Sequence, residues 1–391
     1  MTYFIGLDIS KYKHDCFVMN EYGDVVLETF SFDNNLIGFN TLLNELQKLD
    51  PSFEKKIGLE ATGHYGLNLK IFLEKNNFSY MEINPILIKQ FSKATTLRRT
   101  KTDKKDASLI ALYISTMTYK PYLNSSYHLQ CLKSLCRMRW TLVEGRTRYL
   151  VYMTNILDQI FPEFKPFFSN GFKSSTAMYL LENYTTASRM ARMNIDSYNK
   201  MKAELRRTLS YARFLELKQL AKDTIGNEDE ILTYQLKTYL GLFKELDTRI
   251  NDIESLIASE YLGLHCHIHT IPGIGVISAA TILSEIGSIE RFNTANQLLS
   301  FAGLEPSVIE SGTMSFKGKM VKHGSSDLRR VLMNCAEMQL IRNPKFYEYY
   351  LKKKDEGKHH RVCLSHIAKK LVRIIFYLEK NDCDYDSHKV R

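Results

Sequence analysis

At 391 residues the chain is too long for one ordinary core and points to two or three folded units. Its 44% hydrophobic and 25% charged residues exclude a disordered or fibrous chain. A formal net charge of +10 favours a polyanionic partner, nucleic acid first.

Seven cysteines, with no CxxC pair and an odd total, argue against structural zinc and against a disulfide framework. No basic segment leads into an apolar stretch at the start, and no run reaches the ~18 apolar residues of a membrane span. The expectation is a cytoplasmic protein.

In chain order, Tyr3 to Ser10 reads as a buried strand broken by a carboxylate, Asp15 to Met19 as a second strand and Val25 to Phe30 as a third. Leu36 to Leu49 and Tyr65 to Asn76 carry helical spacing around a strand at Lys56 to Glu60, which makes residues 1–120 an α/β domain with a mixed sheet. After a strand at Tyr80 to Ile83 and the Asn84-Pro85 turn, Ile86 to Thr118 is helical with a basic interruption from Arg98 to Lys105. Residues 121–264 form a region of long helices. Tyr127 to Ile160 ends at Phe161-Pro162, because proline removes a backbone donor and clashes with the preceding turn. Leu232, Leu236, Tyr239, Phe243, Leu246, Ile250, Ile253 and Ile257 form a heptad seam that needs a partner helix, either Tyr127 to Ile160 or a second subunit. Residues 165–230 read as mostly helical without an assigned role. Residues 265–391 read as an all-α domain.

The carboxylates Asp8, Glu60, Asp103 and Asp106 stand out. Asp8 and Glu60 end strands, and Asp103 and Asp106, three apart, share one helix face. Four gathered carboxylates repel by about 4 kcal/mol per pair at ~4 Å and an effective dielectric near 20, a cost that divalent cations remove. Oxygen ligands suit Mg2+ or Mn2+, and the product is a phosphodiester site. Taken singly, each acid has a plainer use: Asp8 capping a turn, Asp103 capping a helix. Arg98, Arg99, Lys101, Lys104 and Lys105 would supply phosphate-binding charge beside them, or form a solvated face.

Pro272-Gly273-Ile274-Gly275 reads as the hairpin of a helix-hairpin-helix unit, where Gly273 and Gly275 let backbone amides approach a DNA phosphate; a packing turn is the plainer reading. Ser311 stands in Glu310-Ser311-Gly312, followed by Lys317, Lys319, Lys322, Arg329 and Arg330 as candidate phosphate contacts. By its residues alone, Ser311 is an ordinary turn serine. His265, Cys266, His267 and His269 crowd one segment with no distant partner pair, which argues against zinc.

Gly6-Leu7-Asp8-Ile9-Ser10-Lys11, Glu60-Ala61-Thr62-Gly63, Asn84-Pro85 and Lys101 to Ala107 together resemble the RuvC-like DEDD domain of an insertion-sequence transposase family that includes the Piv-type DNA invertases. Ile271 to Gly275, Phe301-Ala302-Gly303-Leu304 and Glu310-Ser311-Gly312 resemble that family's C-terminal transposase domain. The resemblance implies that Asp8, Glu60, Asp103 and Asp106 hold magnesium and that Ser311 is a nucleophile. It further implies donor and target DNA as substrates, a structured noncoding guide RNA, and a dimer or tetramer whose composite site forms within or between chains.

Three alternatives remain at the level of sequence. A RuvC-like endonuclease would use the acids with water, and a non-catalytic nucleic-acid-binding protein would use the hairpin alone. An actin-like sugar kinase shares Gly6-Leu7-Asp8 but lacks a second phosphate loop.

Overall fold

Period-two alternation of apolar residues builds the expected sheet. The computed structural model describes residues 1–61, 65–95, 103–119, 127–311 and 314–388, divided into two units, Met1–Asn124 and Ser125–Arg391. In the first, β1 (Thr2–Ile9), β2 (Lys13–Asn20), β3 (Val25–Asp33), α1 (Leu36–Gln47), β4 (Glu54–Glu60), α2 (Leu67–Lys75), β5 (Tyr80–Ile83), α3 (Pro85–Thr95) and α4 (Asp103–Thr116) follow in order. The sheet order is β3-β2-β1-β4-β5, with β1, β4 and β5 parallel and β2 antiparallel to both its neighbours.

Both sheet faces are covered. Ile5, Leu7, Ile57 and Leu59 pack with Leu42, Leu46, Leu69 and Leu73 of α1 and α2. Phe4, Phe17 and Ile83, of the opposite parity, pack with Ile88 of α3 and with Ala107, Ile110, Ala111 and Ile114 of α4.

Helix α4 lies unusually close to the sheet. A β-carbon at Gly6 would fall 2.0 Å from the Ala107 carbonyl oxygen and 2.7 Å from the Ala111 nitrogen, and one at Gly58 would meet Ile114 at 2.8 Å. Beyond α4, the Tyr119 hydroxyl donates to the carbonyls of Ile57 and Ser79, both at 3.3 Å. The helix therefore starts over the carboxyl ends of β1 and β4 and runs back across them.

In the second unit α5 (Tyr127–Ile160) has the limits its pattern predicts. Helices α6 (Phe164–Phe167), α7 (Ser175–Asn183), α8 (Ala187–Ala191), α9 (Ile195–Glu204) and α10 (Tyr211–Lys222) lead to α11 (Glu230–Leu262). The partner of the heptad seam is α5, packed antiparallel: His128 pairs with Glu260, Arg139 with Glu254 and Arg146 with Asp247. Leu236 and Leu240 bury against Met153 and Leu157 near one end, and Ile257 and Tyr261 against Leu132 and Cys136 near the other.

The last part contains α12 (Val276–Ile286), α13 (Ala295–Phe301), β6 (Pro306–Ser311), β7 (Met314–Met320), α14 (Ser326–Arg342), α15 (Pro344–Asp355) and α16 (His360–Asn381). The expectation of an all-α C-terminal domain is therefore corrected, since β6 and β7 pair antiparallel. Val308, Ile309 and Phe316 are strand-favouring types. Among the described residues no helix is long and apolar enough to cross a membrane.

Glu285, 2% exposed, joins three of these helices. It accepts from Arg137 Nε at 2.7 Å on α5 and from Ser325 Oγ at 2.9 Å at the cap of α14, with Lys133 Nζ 3.3 Å away. Burial alone would push Glu285 up, but hydrogen bonding from Arg137, the charges of Lys133 and Arg137, and the Ser325 hydroxyl hold it below its ordinary value. A carboxylate depressed by folding adds stability above its unfolded pKa, and this is lost as pH falls through the folded one.

Two outcomes follow from this packing. Gly6→Ala should destabilise the N-terminal unit by about 3 kcal/mol or more, read by urea unfolding and protease sensitivity, because the clash is with helix backbone. Glu285→Gln should cost about 2 kcal/mol near neutral pH and flatten the acid side of the stability–pH curve, since it weakens the charge-assisted bonds to Arg137 and removes the titrating group, while Arg137 keeps Asp327.

Candidate active site and nucleic-acid interface

Three of the four predicted acids can be placed from backbone register and burial. Strands β1 and β4 pair from Thr2 opposite Glu54 to Leu7 opposite Leu59, so one further step sets Asp8 beside Glu60. Both share the parity of Gly6 and Gly58 and so belong to the α4 face of the sheet. Along α4, Ala107 and Ala111 lie over Gly6, while Ile110 and Ile114 lie over Gly58. Position 103 is one turn before Ala107 on the β1 row, and Asp106 one turn before Ile110 on the β4 row. Asp8, Glu60 and Asp106 are all half-buried; the side chain of Asp103 lies outside the described residues.

The carboxylates of Asp8, Glu60 and Asp106 share this end of the face without closing into a ligand set. Among the described residues, the group of ligand atoms all within 4.8 Å of one another is His265, His267 and Asp382. The donors on the face are nonetheless all carboxylate oxygens, which suit a hard divalent ion.

Sequence reading missed a fifth acid. Asp15 lies directly opposite Asp8 in the β1–β2 register, is 4% exposed and accepts a hydrogen bond from Ser31 Oγ. Its alternation with His14, which faces Phe32 and Phe39 on the other side, was the available signal.

In the second unit Ser311 ends β6 as the register partner of Met314. The base of this hairpin is fixed by backbone bonds: Val321 N–H donates to Glu305 at 2.8 Å, and Ser325 N–H to Phe301 at 3.0 Å. The side chains of Ser311, Lys104, Lys105, Lys317 and Lys319 lie outside the described residues, as do Arg98, Arg99 and Lys101 entirely.

The Pro272 turn is preceded by a single 3-10 turn, Ile268–Thr270. Gly273, at φ 84°, packs on α14, where Gln339 Nε2 donates to the Pro272 carbonyl at 2.6 Å. Its glycine is thus used for packing. Gly275 has nothing within 4 Å of an added β-carbon and caps α12.

A cavity of about 1420 Å³ opens between β7, α14, α15 and α16. Among the described residues its lining holds nine Lys and Arg side chains and no Asp or Glu. Lys322 is among them. Arg329 also lines it, but its guanidinium spans the carbonyls of Ala302 and Lys322; Arg330 stacks 3.8 Å from the Trp140 ring and pairs with Asp327. The cavity wall missed in the sequence is α16, where Arg361, Lys369 and Arg373 step by eight and four along one face while Leu364, Ile367 and Leu371 fill the core. Burial, then the Arg373 charge, pushes Lys369 down; burial, then Lys369 and Lys353, pushes His366 down. These cations crowd one another, a cost that a polyanion removes.

Residues 5–162 match the DEDD transposase model of the IS110 type, and residues 266–351 match the transposase family IS116/IS110/IS902. The pilin gene-inverting protein of Moraxella bovis is 23% identical over 98% of this chain and 97% of its own. This chain belongs to the IS110/IS116 transposase family. The transposase for insertion sequence element IS1111A of Coxiella burnetii is 32% identical over 31% of this chain and 34% of its own. An uncharacterized 43.6 kDa protein of insertion element IS110 from Streptomyces coelicolor is 30% identical over 30% of this chain and 29% of its own.

As an IS110-family transposase, the protein is an enzyme of DNA recombination that cuts and rejoins DNA. The sheet order of its first unit fits the RNase H-like fold of a DEDD domain, whose chemistry uses divalent metal ions. Replacing both Lys369 and Arg373 by Gln should weaken DNA binding by this transposase irrespective of sequence. It should also reduce the slope of log affinity against log salt by about 1 for each phosphate no longer neutralised, measured by fluorescence anisotropy.

Proposed function

We propose that this transposase exchanges DNA strands under the guidance of a structured RNA, with Ser311 as nucleophile and Asp8, Glu60, Asp103 and Asp106 as its divalent-metal ligands. The observation that carries the metal assignment is the shared register of Asp8 and Glu60 beneath the first turns of α4. Magnesium or manganese bound there would supply Lewis acidity toward a phosphate oxygen.

Attack by the serine hydroxyl forms an Oγ–P bond as the P–O3′ bond breaks; the hydroxyl loses its proton and the departing 3′ oxygen gains one. A 3′-hydroxyl of the partner strand then attacks the phosphoserine, restoring the serine, so the ester energy is kept and no nucleotide triphosphate is consumed. The acids of the face would hold metal, and Asp15 of β2, opposite Asp8, is itself held by the Ser31 hydroxyl of β3.

The basic cavity supports the guided reading. It offers nine cations among the described residues to a sugar–phosphate backbone, as expected of a protein that leaves sequence to base pairing. Lys322 and the α16 cations would track a backbone, and Lys317 and Lys319, at positions on β7, are further candidates. Gly275, open at the start of α12, offers a further backbone amide to phosphate. Exchange between donor and target requires several strand cleavages, which a dimer or tetramer supplies.

The test is a denaturing gel for covalent protein–DNA adducts, with magnesium, the element's flanking RNA and its end sequences. Wild type should form an adduct that both Ser311→Ala and Asp8→Asn abolish. Cleavage without an adduct, or an adduct that survives loss of Ser311, would transfer the reaction to water and make the protein a RuvC-like endonuclease.

A further inference from the structure

In sequence, His265-Cys266-His267 lacks a distant partner; the fold supplies one. Cys266, 6% exposed, turns into the core. His265 and His267 bring their Nε2 atoms to the same oxygen, Asp382 Oδ1, each at 2.9 Å. A second carboxylate, Asp384, lies 2.7 Å from the other ring nitrogen of His267.

Three features set this cluster apart from a surface ion pair. A neutral imidazole carries one N–H. With Nδ1–H of His267 given to Asp384, its Nε2 lone pair faces the Asp382 oxygen, so a proton or a cation has to stand between them. An imidazole held by an outer carboxylate in this way is the arrangement that fixes the ring in metal sites.

Secondly, Asp382 and Asp384 follow the carboxyl end of the 22-residue α16, where the helix dipole is already negative. Two acids there are unfavourable unless positive charge joins them. Thirdly, Asp382 is held at φ 51°, ψ 52°, a left-handed conformation that brings its carboxylate to the two rings.

We infer that His265, His267 and Asp382 bind a divalent transition ion of the zinc class, with Asp384 orienting His267. Two imidazole nitrogens and a carboxylate oxygen form a borderline donor set, unlike the all-oxygen face of the N-terminal unit. Tetrahedral bonds of ~2.0–2.1 Å separate ligand atoms by roughly 3.3 Å, so the 2.9 Å contacts need to open only by a few tenths of an ångström. His265 and Asp382 are exposed, leaving the fourth position to water. The ion would clasp the segment before the Pro272 turn to the end of α16, steadying the helix whose basic face lines the cavity.

The experiment is titration of the chelator-treated full-length protein with Zn2+ in magnesium buffer, followed by calorimetry and thermal unfolding. One zinc should bind and raise Tm by roughly 5 °C or more at hundredfold excess over Kd. His265→Ala, at an exposed position, and Asp382→Asn, which tolerates the left-handed backbone, should each abolish this shift, whereas Asp8→Asn should keep it. Absence of zinc binding in wild type overturns the proposal and leaves a His–Asp ion pair. Binding that survives His265→Ala and Asp382→Asn but disappears in Asp8→Asn also overturns it, placing the ion among the acids of the first unit.

Discussion

The approach of α4 to β1 governs the N-terminal unit. Helix backbone and strand backbone meet with no side chain between them, because Gly6 leaves that space empty and Ala107 and Ala111 add little bulk opposite it. At ordinary helix-to-sheet separation, positions 103 and 106 would stand off from the strand ends. The close approach lets one helix turn extend two acid positions over the two strands that carry Asp8 and Glu60, so that a packing feature sets where these acids stand. The apolar layer of Ile110, Ala111 and Ile114 holds the helix down on the sheet.

The C-terminal unit faces an electrostatic problem. Its basic cavity gathers cations, and such a surface repels itself in the absence of a polyanion. A separate buried carboxylate, Glu285, holds Arg137 and Lys133 of α5 while its bond to Ser325 fixes the start of α14. Arg330 is likewise occupied by Asp327 and Trp140. The arginines nearest the hairpin therefore brace the cavity, and the less engaged charge stands on α16.

How far the sequence could lead depended on the range of each interaction. Local periodicity located β1, β4 and α5 to within a residue or two, and alternation about Gly6 and Gly58 was there to be read. The heptad seam called for a partner, but only the folded chain distinguishes α5 from a second subunit. The β6–β7 hairpin was passed over because Ser311-Gly312-Thr313 reads as loop, although Val308, Ile309 and Phe316 favour strand. The basic face of α16 is masked by the stronger apolar stripe of Leu364, Ile367 and Leu371 along the same residues. Asp382 could not be paired with His267 from spacing, since 115 positions separate them and no local pattern links a loop to the end of a distant helix.

The α5–α11 pair has a bearing on how such a chain can vary in size. Helices α6 to α10 fill the interval between the end of one long helix and the start of the other, and at its two mouths Asn227 N–H donates to the Gln159 carbonyl at 3.1 Å. The excursion thus leaves and re-enters at nearly one point, and its Phe164, Leu180 and Phe214 share one apolar centre with Met153 and Leu157 of α5 and with Leu236 and Leu240 of α11. It is no free appendage of the long helices: any change in its length has to keep the apolar surface that covers Met153 and Leu157 of α5 and Leu236 and Leu240 of α11, or the two long helices lose their cover at that end.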